Sequence, residues 1–172
     1  MQDIVADEEI AAILPRYTEL GDCSVLHTCD GSEVLVPSRI KTVVHRLVRR
    51  ECKDIYLLEE QARKLTKGKN WMPLVLGPEL VLVSLKVRNP KISGDVTAGF
   101  FNYCQINGLQ EKGRRTILCM KNGQSFLVLW NKQTVEAHLR NALLVLAMEQ
   151  RYLDRIALHY LEKRWGMSSV LS

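Results

Sequence analysis

Three residues with metal-binding or nucleophilic side chains, Cys23, His27 and Cys29, all lie at odd-numbered positions of a segment that predicts a β-strand. Alternate side chains of a strand lie on one face, so a metal or thiol site is one interpretation. Three ligands on one short strand lie too far apart to close around one ion, and no fourth ligand is evident. We therefore expect ordinary strand residues and no metal site.

No arrangement that predicts catalysis stands out elsewhere. The chain has no phosphate-binding glycine loop, nucleophile elbow, His-Glu-x-x-His helix or close acidic cluster. His45, His138 and His159 fall on predicted helices, where surface or core histidines are more common than catalytic ones. We expect no catalytic residue and no cofactor. A small enzyme remains an alternative, because active-site residues can converge without a sequence signature.

The strongest chemical pattern is a cationic segment. Residues 38–52, "SRIKTVVHRLVRREC", hold five Lys/Arg and one acidic residue, and residues 38–69 hold ten Lys/Arg against four Asp/Glu. The whole chain has a formal net charge of +5, so the remainder is close to neutral. A cationic helix face can hold phosphates, whereas a face that is merely solvated normally mixes both signs of charge. A nucleic-acid surface and a solvated helix are both compatible with this composition.

The candidate phosphate-binding residues lie on one predicted helix and in the basic segments that follow it. Apolar residues spaced as one helical face predict that this helix begins after Ser38, acting as its N-cap. The helix and its end supply Arg39, Lys41, Arg46, Arg49, Arg50 and Lys53. Later segments add Arg63, Lys64, Lys67, Arg114 and Arg115.

The helices and strands predicted around these residues indicate an α+β fold. We expect a mainly antiparallel sheet, two helices in the N-terminal half and one long C-terminal helix. The first strand should end near Pro15, and two later segments, "AGFFNYCQINGL" and "RTILCMKNGQSFLVLW", should supply three strands. Turns or strand breaks are expected at Asp30-Gly31, Gly77-Pro78 and Asn122-Gly123.

The last helix should span residues 132–165, with Asn131 as its N-cap and Gly166 as its C-cap. Its first half, from the start of the helix through "NALLVLAM", is apolar on nearly every side, as expected for a helix enclosed by a sheet and other helices. Its second half keeps one apolar stripe, which could pair two subunits or pack on its own domain. The stripe residues assigned to a dimer interface are Leu153, Ile156 and Tyr160.

Length and composition predict a single domain, residues 1–172, able to bury a core without disulfides. The longest clean apolar run, "ALLVLAM", is far shorter than the roughly 18 residues that span a bilayer. The N-terminus "MQDIVADEEI" is acidic and does not resemble a secretory signal. We expect a cytoplasmic protein that is not associated with a membrane.

Several strings, taken in order and spacing, resemble the competence transcription factor family (ComK) of Gram-positive bacteria, from Ile10 to about Arg155. They are "ILPRY", "GDCSVLHTCDGSEVLVP", Cys52 with Tyr56 and Arg63, "MPLVLGP", "GFFNYCQI", "TILCMKNGQSFLVLW" and "HLRNALLVL". The chain departs from the family where "YLLEEQARK" replaces a glycine-containing motif and "VSLKV" replaces a Phe-Pro-Thr stretch.

Proteins of that family are non-enzymatic DNA-binding activators, which act as oligomers on A/T-rich boxes largely through the minor groove. The resemblance implies a sequence-specific transcription activator at the bacterial nucleoid that binds double-stranded DNA as a homodimer or higher homo-oligomer. Regulatory proteins would be further partners. Narrow A/T-rich minor grooves concentrate negative potential and attract Arg. The alternative is a non-enzymatic interaction module whose basic face docks an acidic partner.

Overall fold

Two antiparallel β-sheets and three α-helices make up residues 5–165, which are the residues that this computed structural model describes. The strands are β1 (Ile10–Thr18), β2 (Gly21–Thr28), β3 (Glu33–Val36), β4 (Leu74–Val75), β5 (Val81–Lys86), β6 (Ala98–Asn102), β7 (Ile106–Lys112), β8 (Arg115–Met120) and β9 (Ser125–Val128). The helices are α1 (Ile40–Arg50), α2 (Ile55–Thr66) and α3 (Lys132–Trp165). The predicted α+β class, with two helices in the N-terminal half and a long C-terminal helix, is confirmed.

The strands form a six-stranded sheet in the order β3-β2-β1-β6-β5-β4 and a separate three-stranded sheet in the order β7-β8-β9. Each neighbouring pair is antiparallel. Asp30-Gly31 lies between β2 and β3, and Asn122-Gly123 lies between β8 and β9, as predicted. Gly77-Pro78 separates the paired strands β4 and β5, which is also as predicted.

The six-stranded sheet is buried on both faces, because its central strands carry apolar side chains on both sides. In β5, Leu82 packs in the core under α1, whereas Val83 and Leu85 pack in the core shared with α3. Helix α1 therefore covers one face of the sheet, and α3 covers the other together with the three-stranded sheet. This layering leaves the outer side of α1 in solvent.

The expectation that β1 ends near Pro15 is wrong, because the strand continues to Thr18. Pro15 pairs with Ser24 of β2 on one side. On the other side, the ladder with β6 is limited to Ala12 and Ile13. Proline cannot donate a backbone hydrogen bond, so it is tolerated in a strand where no neighbour requires that bond.

The expected count of three strands over residues 98–130 is also wrong, since this region forms four strands. A 3-10 turn, Tyr103–Gln105, divides the segment read as one strand into β6 and β7. The Asn102 side chain closes this turn by accepting from the backbone N–H of Cys104 at 3.2 Å. It also donates to the carbonyls of Ile10 and Glu79, at 2.9 and 2.8 Å. The turn carries the chain from one sheet to the other.

Helix α3 has the predicted boundaries, and Asn131 caps it by accepting from the backbone N–H of Thr134 at 2.9 Å. Gly166, the expected C-cap, lies outside the described residues. The expectation that the first half is enclosed is wrong, because Leu143, Leu144 and Met148 are exposed. Among residues 5–165, no helix is long and apolar enough to cross a membrane.

Candidate functional site

Helix α1 presents a basic surface because its apolar side chains fix which way it faces. The buried side consists of Ile40, Val43, Val44, Leu47 and Val48. At about 100° per residue, this leaves the basic residues on the solvent side. Ser38 does not cap the helix as predicted: Arg39 occupies the N-cap position without a side-chain cap bond. The Ser38 carbonyl instead accepts from the Ser24 hydroxyl at 2.7 Å.

Four exposed side chains form what we call the cationic face: Arg39, Lys41, Arg46 and Arg49. In the part of the chain that the structure describes, none of them has a hydrogen bond or ion pair. The first turn of α1 contains no acidic residue to offset them. Uncompensated charges on one rigid helix create a positive potential that attracts polyanions.

Two other residues predicted for this surface are engaged elsewhere. The Arg50 guanidinium donates to the Val5 carbonyl at 3.0 Å. Lys53 lies beyond the end of α1, and its ammonium group donates to the Val75 carbonyl at 3.0 Å. It also forms an ion pair with Glu149 of α3 at 2.7 Å. Two of the three N–H donors of the Lys53 ammonium group are therefore already used within the protein.

The basic residues of α2 differ from the cationic face because acidic residues of the same helix accompany them. Lys64 pairs with Glu60 at 2.8 Å, and Arg63 lies 3.9 Å from Glu59. The hydrogen bond from Lys64 lowers the pKa of the Glu60 carboxyl group. Both signs of charge therefore alternate on this surface, as on an ordinary solvated helix.

The remaining predicted basic residues lie apart from the α1 surface. Lys67 ends α2 in a left-handed conformation, with φ of 54°. Arg114 lies in the exposed turn between β7 and β8, and the exposed Arg115 is the first residue of β8. That hairpin belongs to the three-stranded sheet, which packs in the core on the other side of the six-stranded sheet. The structure thus groups only part of the predicted set.

An exposed aromatic pair beside the cationic face was missed by the sequence reasoning. Asp54 caps α2 by accepting from the backbone N–H groups of Tyr56 and Leu57, at 2.9 and 3.1 Å. Tyr56 is consequently held in the first turn, 73% exposed, with its ring 6.3 Å from that of His45. His45 lies on the same helical row as Lys41 and Arg49. Cations next to a free aromatic ring can contact phosphates and stack on a base or sugar.

Cys23, His27 and Cys29 contact different groups. The Cys23 sulfur lies 3.2 Å from the Thr18 hydroxyl, and Cys29 donates to the Glu8 carbonyl at 3.6 Å. The buried His27 ring packs edge-on against Phe126, with centroids 4.8 Å apart. Within residues 5–165, no group of three or more His, Cys, Asp or Glu could hold a metal ion.

His27 predicts a pH dependence of stability. Burial lowers its pKa below the usual value of 6.5, although Glu33, 3.6 Å away, opposes the shift. Below about pH 6.5, His27 therefore binds a proton more readily in the unfolded chain than in the folded chain. The free energy of unfolding should fall as the pH drops through that range, by at most about 1.4 kcal/mol per pH unit for one group.

A His27→Leu variant should show a shallower decline of the free energy of unfolding between pH 7.5 and 5.5. Urea denaturation at several pH values measures this slope. The residual slope should include His138, whose pKa is also lowered by burial. A slope identical to that of the unsubstituted protein would contradict the assignment to His27.

The apolar stripe predicted on α3 is exposed in the part of the chain that the structure describes. Leu153 and Tyr160 are 56% and 64% exposed, and Ile156 is also exposed. The alternative that this stripe packs on its own domain is therefore wrong for the residues described here. The stripe forms a second candidate surface, separate from the cationic face because α1 and α3 cover opposite faces of the sheet.

Residues 5–165 thus form an α+β fold of two antiparallel sheets, with an exposed cationic face on α1 and an exposed apolar stripe near the end of α3. Comparison with models of protein families, with curated proteins and with solved structures gives no match.

Proposed function

We propose that the protein is a sequence-specific transcription activator that binds double-stranded DNA through the cationic face of α1. The observation that carries the proposal is the combination of exposure and missing counter-charges at Arg39, Lys41, Arg46 and Arg49. A helix that holds four fixed cations on one side releases counterions from DNA when it meets phosphates, and that release drives binding.

Sequence preference would come from Arg side chains and the shape of the groove. Arg inserts preferentially into the narrow minor groove of A/T-rich DNA, where negative potential is highest. The resemblance to the competence regulators supports the same preference and supports action as a homodimer or higher homo-oligomer. We accordingly propose that the protein acts in the cytoplasm at the bacterial nucleoid without a cofactor, with regulatory proteins as further partners.

The salt dependence of DNA binding tests the proposal. With four phosphate contacts, the logarithm of the association constant should fall with the logarithm of salt concentration with a slope near −3.6. A fourfold rise in salt should then weaken binding roughly 150-fold. Fluorescence anisotropy with A/T-rich and G/C-rich duplexes measures both slope and preference. Absence of binding to either duplex at low salt would contradict the proposal.

The alternative function, an interaction module that docks an acidic protein, is favoured by one further observation. Leu57 is exposed beside Tyr56, so an apolar patch adjoins the cationic face. A peptide with acidic and apolar side chains would match both features, whereas DNA would leave Leu57 unused. Selection of bound DNA from a random pool separates the two functions. Enriched A/T-rich boxes support the activator, and recovery of no motif supports the interaction module.

A further inference from the structure

The last part of α3 extends beyond the body of the protein. From residue 150 to residue 164, every side chain is exposed except Leu158, which is half-buried. At about 1.5 Å per residue, this segment is roughly 22 Å long, and we call it the arm. A helix of this length with so few tertiary contacts gains little stability from packing within its own chain.

One side of the arm is apolar, with a negative charge before its apolar residues and a positive charge after them. Tyr152, Ile156 and Tyr160 follow one another at intervals of four residues, and Leu153 lies beside them. This side continues the side of α3 that carries the buried Val145 and the half-buried Glu149. Seven residues beyond Ile156, the same side carries Lys163.

This side of the arm is complementary to the same side of a second copy when the two arms run antiparallel with Ile156 at the centre. Each Tyr152 then faces Tyr160 of the second copy, and Ile156 faces its own equivalent. Glu149, which already pairs with Lys53 of its own chain, lies opposite Lys163 of the other copy, because both are seven residues from the centre. A parallel arrangement would instead oppose Glu149 to Glu149 and Lys163 to Lys163, which is unfavourable. Charge therefore selects a two-fold antiparallel pair.

A groove between α2 and α3 adjoins this apolar side. Its volume is about 610 Å³, and its apolar lining includes Leu58, Leu65 and Met148. Tyr152 belongs both to the groove and to the apolar side of the arm, and Glu149, one residue before the arm, also lines the groove. The end of a second arm, running antiparallel, would pass along this groove and place its Tyr160 over Tyr152.

We propose that a second copy of this chain covers the arm, with the two arms antiparallel about Ile156 and each arm end closing the α2–α3 groove of its partner. The groove matters because a stable interface buries about 800 Å² per partner, more than one short helix face supplies. Such an interface is isologous, so it closes as a dimer and leaves no arm free. The proposal rests on the oligomeric part of the proposed function and not on DNA binding.

The mass of the full chain in solution tests the proposal, using sedimentation equilibrium from 1 to 100 μM. The unsubstituted protein should be a dimer, and Ile156→Glu should weaken the dimer at least 100-fold by opposing two carboxylates at the centre. Arg151→Glu is the matched control, because Arg151 lies on the opposite side of the arm. It should remain dimeric. Circular dichroism should show that both variants keep their fold, since neither residue lies in the core.

Disulfide trapping tests the antiparallel orientation. In a Cys52→Ser background, Tyr152→Cys and Tyr160→Cys chains should cross-link with each other more readily than either cross-links with itself. Preferential self-cross-linking would overturn the antiparallel arrangement. A monomeric protein at 100 μM, or binding of the arm to anionic lipid vesicles in place of self-association, would overturn the proposal itself. Salt-dependent DNA binding by a monomer would overturn this proposal and the oligomeric part of the proposed function, and would leave its DNA-binding part standing. A dimer that does not bind DNA would support this proposal and contradict the DNA-binding part.

Discussion

Replacing Lys41, Arg46 and Arg49 together with alanine should weaken DNA binding about 500-fold at 0.1 M salt. At that salt concentration, each phosphate contact raises the association constant roughly eightfold through counterion release, and three contacts are lost. The salt slope should decrease in magnitude from about 3.6 to about 0.9. None of these side chains has a described protein partner, so the melting temperature should change little. Anisotropy titrations over a salt series measure both effects.

The matched control removes the same amount of charge from α2, through Arg63→Ala, Lys64→Ala and Lys67→Ala. Two of these residues are already compensated by Glu59 and Glu60, so binding should weaken less than about tenfold. Equal losses in the two variants would show that net charge, and not the cationic face, governs binding. Arg50 is retained in both variants because it donates to the Val5 carbonyl.

Replacing Arg88 with methionine should lower the free energy of unfolding by about 3–5 kcal/mol. Its guanidinium group donates to Asp22 and to the Val96 carbonyl, both at 2.8 Å, and lies 4.1 Å from the centre of the Tyr17 ring. The side chains of Arg88 and Asp22 are only 13% and 8% exposed. Without Arg88, the Asp22 carboxylate would remain buried without a counter-charge, and this is the main source of the loss.

The double variant Asp22→Asn with Arg88→Met should recover a large part of that loss, because it removes the buried charge as well as its partner. Urea denaturation at pH 7 measures the free energies for a double-mutant cycle. A double variant no more stable than Arg88→Met alone would show that the contacts of Arg88 with Val96 and Tyr17, and not the ion pair, dominate.

The parts of the fold that were predictable depend on local periodicity. All five apolar residues that predicted α1 are buried, and Asn131 caps α3 as expected. Features that depend on neighbours distant in the sequence were not predictable. Pro15 fits within β1 because of how far β6 extends beside it. Leu143 is exposed because β7 and the turn before it cover that side of α3 only in part.

In the candidate site, too, local periodicity predicted some features, and others depend on residues distant in the sequence. The periodicity of α1 correctly placed Arg39, Lys41, Arg46 and Arg49 in solvent. It could not reveal that Lys53 pairs with a residue 96 positions away. Tyr56 could have been found, because Asp54 followed by a helical pattern indicates an N-cap and places the next residues in an exposed first turn.

The ion pair between Lys53 and Glu149 would couple DNA binding to self-association. Lys53 follows the end of α1, and Glu149 lies where the arm begins. If Lys163 of a second copy competes for Glu149, the Lys53 ammonium group becomes available to a phosphate. One further contact would raise DNA affinity about eightfold at 0.1 M salt. Because linkage is reciprocal, DNA would strengthen self-association by the same factor.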